Sequence, residues 1–267
     1  MSKINQAIHE IQTLDQMANK NQWVNRIHPL VKLFLTILYI LLVVSFPKYA
    51  LSGVLSMAVY PVVMFLLGDI SWKESIYRLR VVLPLVCVVG IFNPFFDREV
   101  VTYVGTMGIS GGVISMLSLM VKGVLTVLAS YMLIATTSIE KICYAMRAVH
   151  IPKMFVTQIL LIYRYITVLL AEAKRITQAY TLRAPGQKGI QFKVWGSLVG
   201  QLLLRSMDRA DDIYESMCLR GYTGEFYYGS AVRWKMQDTI ILVSWLAAFI
   251  LFRIFPVFQM IGGIFVK

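Results

Sequence analysis

The chain is poor in charge and contains no nucleotide-binding loop. Only 15% of its 267 residues are charged while 58% are hydrophobic, a balance typical of integral membrane proteins. No Gly-x-x-x-x-Gly-Lys-Ser/Thr pattern occurs, and residues 186–189 echo it without a preceding strand pattern. No nucleophile stands beside a placed base. We therefore expect a non-catalytic membrane chain.

Histidine and cysteine are scarce and scattered. The three histidines lack the spacing of metal ligands, and Cys87, Cys143 and Cys218 lie far apart. Neither a metal site nor a disulfide framework is expected, and no cofactor is predicted. Because two of the three cysteines fall in apolar runs, buried structural thiols are the predicted state.

Acidic residues cluster between positions 208 and 215 and alternate with arginines. The three-residue offsets from Arg205 to Asp208 and from Arg209 to Asp212 match neighbouring positions on one helix face. The cluster therefore predicts solvated ion pairs along a helix, in preference to a carboxylate metal site.

The N-terminus lacks the short apolar core and cleavage site of a secretory signal, so a cleaved signal is not expected. Residues 5–26 are polar and weakly amphipathic and predict a segment along the membrane surface or against a cytoplasmic domain. The net charge of +12 is interpreted as the excess of Lys and Arg in cytoplasmic segments, not as a nucleic-acid site.

Five apolar runs are long enough to predict membrane spans. They cover residues 30–46, 50–67, 81–96, 113–134 and 239–255. The stretch 97–112 between the third and fourth runs is Gly-rich and predicts an external loop. Pro61 is expected to kink the second span. Lys122 lies inside the fourth, and a lysine stem that reaches the nearer interface is favoured over a functional charge.

Residues 138–235 are predicted to contain no span, but their helical period is clear. Pro152 suits the start of one helix, while Pro185-Gly186 and Gly221 suit the ends of two. This yields four predicted regions in an all-α membrane protein. They are an interfacial N-terminal segment (1–29), spans 1–4 (30–137), an inserted cytoplasmic helical domain (138–235), and span 5 with an external tail (236–267).

The distribution of Lys and Arg along the chain predicts its orientation in the membrane. With a cytoplasmic N-terminus, 21 of the 26 positive residues fall on the cytoplasmic side. The sequence therefore predicts a multi-pass protein of a bacterial-type plasma membrane, with its N-terminus inside and its C-terminus outside.

A short pattern occurs twice in the inserted domain. Leu182-Arg183-Ala184 and Leu219-Arg220-Gly221 each end a helical run before a Pro- or Gly-containing break. Each arginine could merely neutralise a helix C-terminus, which contributes about 0.3–1 kcal/mol. The duplication favours a second role, since a guanidinium can bind a partner carboxylate at two points and a small neighbour lets the partner approach.

These residues resemble the transmembrane (T) component of energy-coupling-factor (ECF) transporters, whose signature is two short Ala-Arg-Gly-like motifs on cytoplasmic coupling helices. The run His-Pro-Leu-Val-Lys-Leu at 28–33 is similar to the family's Asp-Pro-Arg-x-Lys start of the first span. The stretches 179–186, 195–198, 204–210 and 219–224 look like the cobalt-type subgroup, CbiQ. The chain departs from the pattern at His28, which replaces an acidic residue, and in its first motif, which is Leu-Arg-Ala.

The resemblance implies that the six motif residues bind two ABC ATPase subunits, which hold the ATP and magnesium. It further implies a separate substrate-binding membrane subunit that captures cobalt, and a small accessory membrane subunit. Two alternatives stay open. The cargo could be nickel or a vitamin, or the chain could be a self-contained channel or secondary carrier, which predicts paired intramembrane charges or an inverted repeat.

Overall fold

The computed structural model describes residues 3–20, 22–96, 100–104, 107–187, 189–224 and 233–254. Within these ranges the chain is almost entirely helical. In order, the elements are α1 (Lys3–Ala18), α2 (Trp23–Arg26), α3 (Pro29–Val44), α4 (Leu51–Ser56), α5 (Val59–Leu67), α6 (Trp72–Ile91), α7 (Asn93–Phe96), β1 (Val100–Val104), β2 (Met107–Ser110), α8 (Gly111–Thr136), α9 (Ile139–Ala148), α10 (Lys153–Arg183), α11 (Phe192–Leu219) and α12 (Met236–Ile254).

The chain divides into two compact units. The first consists of residues 1–16 and 139–231 and is called the arm unit here, after its two long helices α10 and α11. The second consists of residues 17–138 and 232–267 and is called the membrane unit. The inserted domain expected over residues 138–235 nearly coincides with the second part of the arm unit, whereas the N-terminal segment expected over residues 1–29 is divided between the two units. The assignment of these regions to sides of a membrane stays a prediction.

Apolar helices form the membrane unit, as an all-α integral membrane protein requires. α8 and α12 are long and apolar enough to cross a bilayer, whereas α3, the α4–α5 stretch and the second half of α6 are shorter apolar helices. These helices fall where the five spans were expected. The stretch expected to be a loop contains a small antiparallel hairpin, in which Val104 of β1 pairs with Met107 of β2.

Helix α10 of the arm unit has a property that was not expected from the sequence. No span was predicted between residues 138 and 235, but α10 is also long and apolar enough to cross a membrane. Arg164 interrupts this apolar stretch, so a search for unbroken apolar runs passes over it. That window is nearly all exposed, with 6% of it buried, so α10 presents an apolar surface that its own unit does not cover.

Pro61 breaks the second apolar stretch into α4 and α5. A helical proline has no N–H to donate to the carbonyl four residues earlier, and its ring crowds that carbonyl. The affected group is the carbonyl of Met57, and the helix is interrupted at that position. The Tyr39 hydroxyl donates to this carbonyl at 2.9 Å, so the group stays paired in the apolar interior.

Aromatic side chains pack around this break. The Tyr39 and Tyr60 ring centroids are 4.7 Å apart, and Phe249 of α12 lies 5.6 Å from Tyr39 and 5.2 Å from Tyr60. All three side chains are buried. Contacts between aromatic rings add to the area that they bury, so this cluster fastens α12 to the first two apolar stretches.

Two lysines join α3 and α8 reciprocally. Lys32, at the start of α3, is buried and donates to the carbonyl of Thr136 at the end of α8, at 2.8 Å. Lys122 of α8 donates to the carbonyl of Phe46, just after α3, at 2.6 Å. The last carbonyls of a helix lack partners within the helix, so each lysine caps the neighbouring helix. The interpretation of Lys122 as a side chain that only reaches the interface is therefore incomplete, because its ammonium group also donates a hydrogen bond at the end of α3.

Asp238 joins the first and last apolar helices of the membrane unit. Its buried carboxylate accepts the backbone N–H of His28 at 2.9 Å, just before α3, and that of Lys235 at 2.9 Å, just before α12. A carboxylate suits this position because the first N–H groups of a helix are unpaired and carry partial positive charge. The beginnings of α3 and α12 are thereby fixed to one side chain.

The predicted interfacial segment forms α1 and α2. Asn25 of α2 donates to the carbonyls of Met17 at 3.0 Å and Lys20 at 2.9 Å, so it closes the C-terminal end of α1. Trp23, the first residue of α2, is half exposed. Whether this segment lies on a membrane surface stays a prediction.

Candidate functional site

The candidate site is carried by α10 and α11, the two long helices of the arm unit. Pro152 is the N-cap of α10, which confirms the predicted start of that helix. α11 begins at Phe192 and has no buried residue along its length. Both helices have the three- and four-residue apolar spacing of amphipathic helices. Many apolar side chains of α10 and α11 are therefore exposed.

The first motif lies at the end of α10. Arg183 is the last helical residue, and the N–H of Ala184 donates to the carbonyl of Tyr180 at 3.1 Å. Pro185 and Gly186 then turn the chain, with Gly186 at φ +91°. The Tyr180 hydroxyl donates to Gln187 at 2.8 Å and holds this turn against the helix. The predicted stop at Pro185-Gly186 is confirmed.

The second motif ends α11 in a different way. Gly221 has a φ of +82°, a conformation open to glycine but strained for residues with a Cβ. Its N–H donates to the carbonyl of Cys218 at 2.9 Å, and the N–H of Tyr222 donates to that of Met217 at 3.0 Å. This hydrogen-bond pair defines a Schellman cap. The predicted stop at Gly221 is confirmed, and Arg220 is the capping residue itself.

Both motifs place a leucine and an arginine in solvent. Leu182 is 82% exposed and Leu219 is 83% exposed, values that no packing requirement within the chain explains. Arg183, Arg220 and their neighbours Ala184 and Gly221 are exposed or half-exposed. The main chain closes each helix end, so neither arginine is needed to hold its helix together. The assignment of these six residues to docking stays a prediction.

Glu172 links the two helices where they approach each other. Arg205 of α11 donates to one carboxylate oxygen of Glu172, and Arg175 lies 3.6 Å from the other. The ion pairs predicted along α11 are therefore wrong. Arg205 pairs across to α10 and not with Asp208, and Arg209 and Asp212 form no ion pair within the part of the chain that the structure describes.

Each motif arginine lines a cavity between α10 and α11. The cavity beside Arg183 has a volume of about 430 Å³ and also contains Arg175 and Arg205. The cavity beside Arg220 has about 570 Å³ and also contains Arg164 and Arg209. Sequence reasoning missed these four accompanying arginines, because only the antiparallel crossing of the helices brings them to the motif ends.

The thiols of the arm unit are not alike. Cys143 of α9 is buried, as predicted, and burial raises the pKa of its thiol, with a smaller effect of Glu140. Cys218 is exposed beside the second motif, so the prediction of a buried thiol is wrong there. A hydrogen bond with Cys218 raises the pKa of Tyr214, one turn earlier on α11. Among the described residues, no three His, Cys, Asp or Glu side chains converge as metal ligands.

The whole site lies within a stretch that matches a known family. A model of the cobalt transport protein family, CbiQ, matches residues 20–228, which include α10, α11 and both motifs. The chain belongs to this family. It is therefore a multi-pass membrane component of a transport system, and the resemblance noted in the sequence is confirmed.

One curated relative extends the comparison. The nickel permease LarQ of Lactiplantibacillus plantarum is 24% identical over 117 residues, which are 44% of this chain. The match spans 43% of the relative's own length, less than half of that protein.

Proposed function

We propose that this protein is the transmembrane coupling subunit of an ECF-type ABC importer. In this function it transmits the ATP-driven motion of two ATPase subunits to a separate substrate-binding membrane subunit. The observation that carries the proposal is the pair of exposed Leu-Arg ends on α10 and α11, where Leu182 and Leu219 have more than four fifths of their surface in solvent. An exposed apolar side chain beside a guanidinium is typical of a protein interface.

Each motif would bind one ATPase subunit. The guanidinium groups of Arg183 and Arg220 can each make two parallel hydrogen bonds to a carboxylate, which fixes orientation as well as affinity. Ala184 and Gly221 leave room for the partner's backbone. Catalysis and the binding of ATP and magnesium would then belong to the ATPases, so the coupling subunit would need neither an active site nor a cofactor.

The link between α10 and α11 supports transmission of force. Glu172 contacts Arg205 on the other helix, so displacement of one arm end acts on the other arm through this ion pair. The uncovered apolar surface of α10 fits a substrate-binding membrane subunit, with room for a small accessory membrane subunit beside it. Lipid is a poorer fit for this surface, because α11, which crosses α10, carries the acidic residues of 208–215.

The proposed setting is a bacterial-type plasma membrane, with the N-terminus and the arm unit in the cytoplasm and the C-terminus outside. The distribution of Lys and Arg carries this orientation. Residues 138–235 would then be the cytoplasmic coupling domain, in reach of ATPases.

Cobalt is the proposed cargo because the family is that of cobalt transport proteins. Nickel is the second candidate, since the curated relative is named a nickel permease. A vitamin is the third. The cargo would be bound by the partner subunit, so uptake assays with radiolabelled cobalt and nickel, with the full set of subunits present, distinguish the first two.

A self-contained channel or secondary carrier is the alternative from another class. It would need charged groups along a path through the membrane unit. Lys122, the charge inside the fourth predicted span, is engaged with the end of α3, which argues against such a path. Uptake by this chain in vesicles without any ATPase would support the alternative.

The decisive experiment replaces both motif arginines. Arg183→Ala/Arg220→Ala should abolish metal uptake and copurification of the ATPase subunits, while membrane insertion and the yield in detergent stay as in the wild type. Lys20→Ala, at an exposed positive residue of the membrane unit, is the matched control and should change neither. If the double variant still copurifies with the ATPases and still transports, docking through the arginines is wrong.

A further inference from the structure

The two cavities beside the motif arginines are lined by equivalent positions of a repeat. Residues of α10 recur in α11 at an offset of 37 residues, the distance from Arg183 to Arg220. Ile176 and Ala179 line the Arg183 cavity, and their equivalents Ile213 and Ser216 line the Arg220 cavity. The antiparallel crossing of α10 and α11 therefore forms two cavities that are lined by corresponding positions.

The crossing helix contributes equivalent positions too. Leu198 of α11 lies in the Arg183 cavity, and its equivalent Leu161 of α10 lies in the Arg220 cavity. The next lining position is Gln201 in the first cavity and Arg164 in the second. An uncharged amide in one cavity is therefore replaced by a guanidinium in the other.

The cavities differ most in what their arginines already bind. Two of the arginines that line the Arg183 cavity, Arg175 and Arg205, contact the carboxylate of Glu172. The equivalent of Glu172 in the second half of the repeat is Arg209. No described carboxylate pairs there with Arg164, Arg209 or Arg220, although Asp212 lines the same cavity.

We propose that the Arg220 cavity binds a carboxylate-bearing segment of the ATPase subunit that docks at this end, with Arg164 and Arg209 as binding residues beside Arg220. The inference rests on the proposed function and adds that the two helix ends bind their ATPase subunits through different numbers of arginines. The Arg183 end relies on its motif arginine, whereas the Arg220 end offers three guanidinium groups that no described carboxylate occupies.

Charge and shape identify the occupant. Three arginines against the single carboxylate of Asp212 favour an acidic group, and guanidinium groups bind carboxylates with charge-assisted paired hydrogen bonds. The floor is apolar, with Leu161, Ile213 and Met217 in the lining. A volume of about 570 Å³ admits a few side chains. The fitting segment is an acidic residue with an apolar neighbour.

The test compares arginines of the two cavities in the reconstituted complex. The full chain in lipid-free detergent is titrated with its purified ATPase subunits. Arg164→Gln, which installs the residue present at the equivalent position 201, should weaken binding about tenfold and reduce its dependence on salt. Arg209→Gln should do the same from the other helix. Arg175→Gln, at the Glu172-paired arginine, is the matched control and should stay within about twofold of the wild type.

The outcomes separate this inference from the proposed function. Wild-type affinity in both Arg164→Gln and Arg209→Gln, with binding lost in Arg183→Ala/Arg220→Ala, would overturn the inference alone. Equal losses in Arg164→Gln and Arg175→Gln would overturn it too, because the two ends would then be equivalent. If Arg164→Gln weakens ATPase binding in bilayers of anionic lipid but not in lipid-free detergent, the cavity would be assigned to a lipid headgroup and the inference would be overturned. Retained binding in the double variant would overturn the proposed function itself.

Discussion

The membrane unit and the arm unit treat the ends of their helices in opposite ways. In the membrane unit, side chains from other elements close the helix ends. Lys122 closes the end of α3, Lys32 closes the end of α8, and Asp238 of α12 closes the beginning of α3. In the arm unit, the main chain closes the last turns of α10 and α11, and the motif side chains there point to solvent.

This difference in how the helix ends are closed indicates which of them are available to a partner protein. In the membrane unit, main-chain groups at the helix ends are paired with side chains of the same unit, and the pair formed by Lys32 and Thr136 is buried. The arm ends are already satisfied locally, so Arg183, Arg220 and the two exposed leucines are available to another molecule. The helix ends of the membrane unit are paired within that unit, whereas those of the arm unit leave Leu182 and Leu219 exposed.

The largest loss of stability is expected from replacing Lys122. Lys122→Met leaves the carbonyl of Phe46 without its 2.6 Å partner, and an unpaired carbonyl of this kind costs about 2 kcal/mol. We expect the apparent Tm of the purified protein to fall by about 5 °C. Thermal unfolding in detergent, followed by intrinsic tryptophan fluorescence, measures the change.

The control for this prediction is a lysine of the arm unit. Lys193→Met removes the same charge from an exposed position of α11 and should change stability by less than about 0.5 kcal/mol. Equal losses of stability in the two variants would show that the hydrogen bonds of Lys122 stabilise the protein no more than an exposed lysine does.

A smaller effect is expected at the Schellman cap of α11. Gly221→Ala places a Cβ at φ +82°, where open space surrounds it, so the cost of about 1 kcal/mol comes from the backbone alone. The amides of the last turn should exchange with solvent about fivefold faster. Hydrogen exchange with mass spectrometry of the peptide that contains residues 215–222 measures this.

Gly196→Ala is the matched change in the same helix. A Cβ added at Gly196 would also meet nothing within 4 Å, but the φ of this residue lies outside the positive region. Alanine should therefore stabilise the helix there by about 0.5–1 kcal/mol. Slower exchange in Gly221→Ala would contradict the assignment of the cap.

Sequence reasoning found the elements of the chain that depend on local rules. The apolar runs, the break near Pro61 and the stops at Pro185-Gly186 and Gly221 are all encoded within a few residues. The same reasoning found the duplicated motif, because each copy carries its own helix end.

Contacts between distant segments could not be found in this way. Lys122 binds a main-chain carbonyl, and a carbonyl leaves no mark in residue identity. Arg205 had an acidic neighbour three residues away, but it pairs with Glu172 on α10. The cavity arginines are brought together by the crossing of two helices. The 37-residue offset was visible in the sequence, yet only the structure shows that it defines two cavities.

The central claim is that the exposed motif ends are covered by ATPase subunits. The direct measurement is maleimide labelling of Leu182→Cys and Leu219→Cys in membranes, with Cys87 and Cys218 replaced by serine and the buried Cys143 retained. Glu10→Cys, at an exposed position of α1, serves as the control. The account predicts rapid labelling of both sites in the chain alone, about tenfold slower labelling with the ATPases present, and no change at position 10. Equal labelling rates at positions 182 and 219 with and without bound ATPases would contradict it.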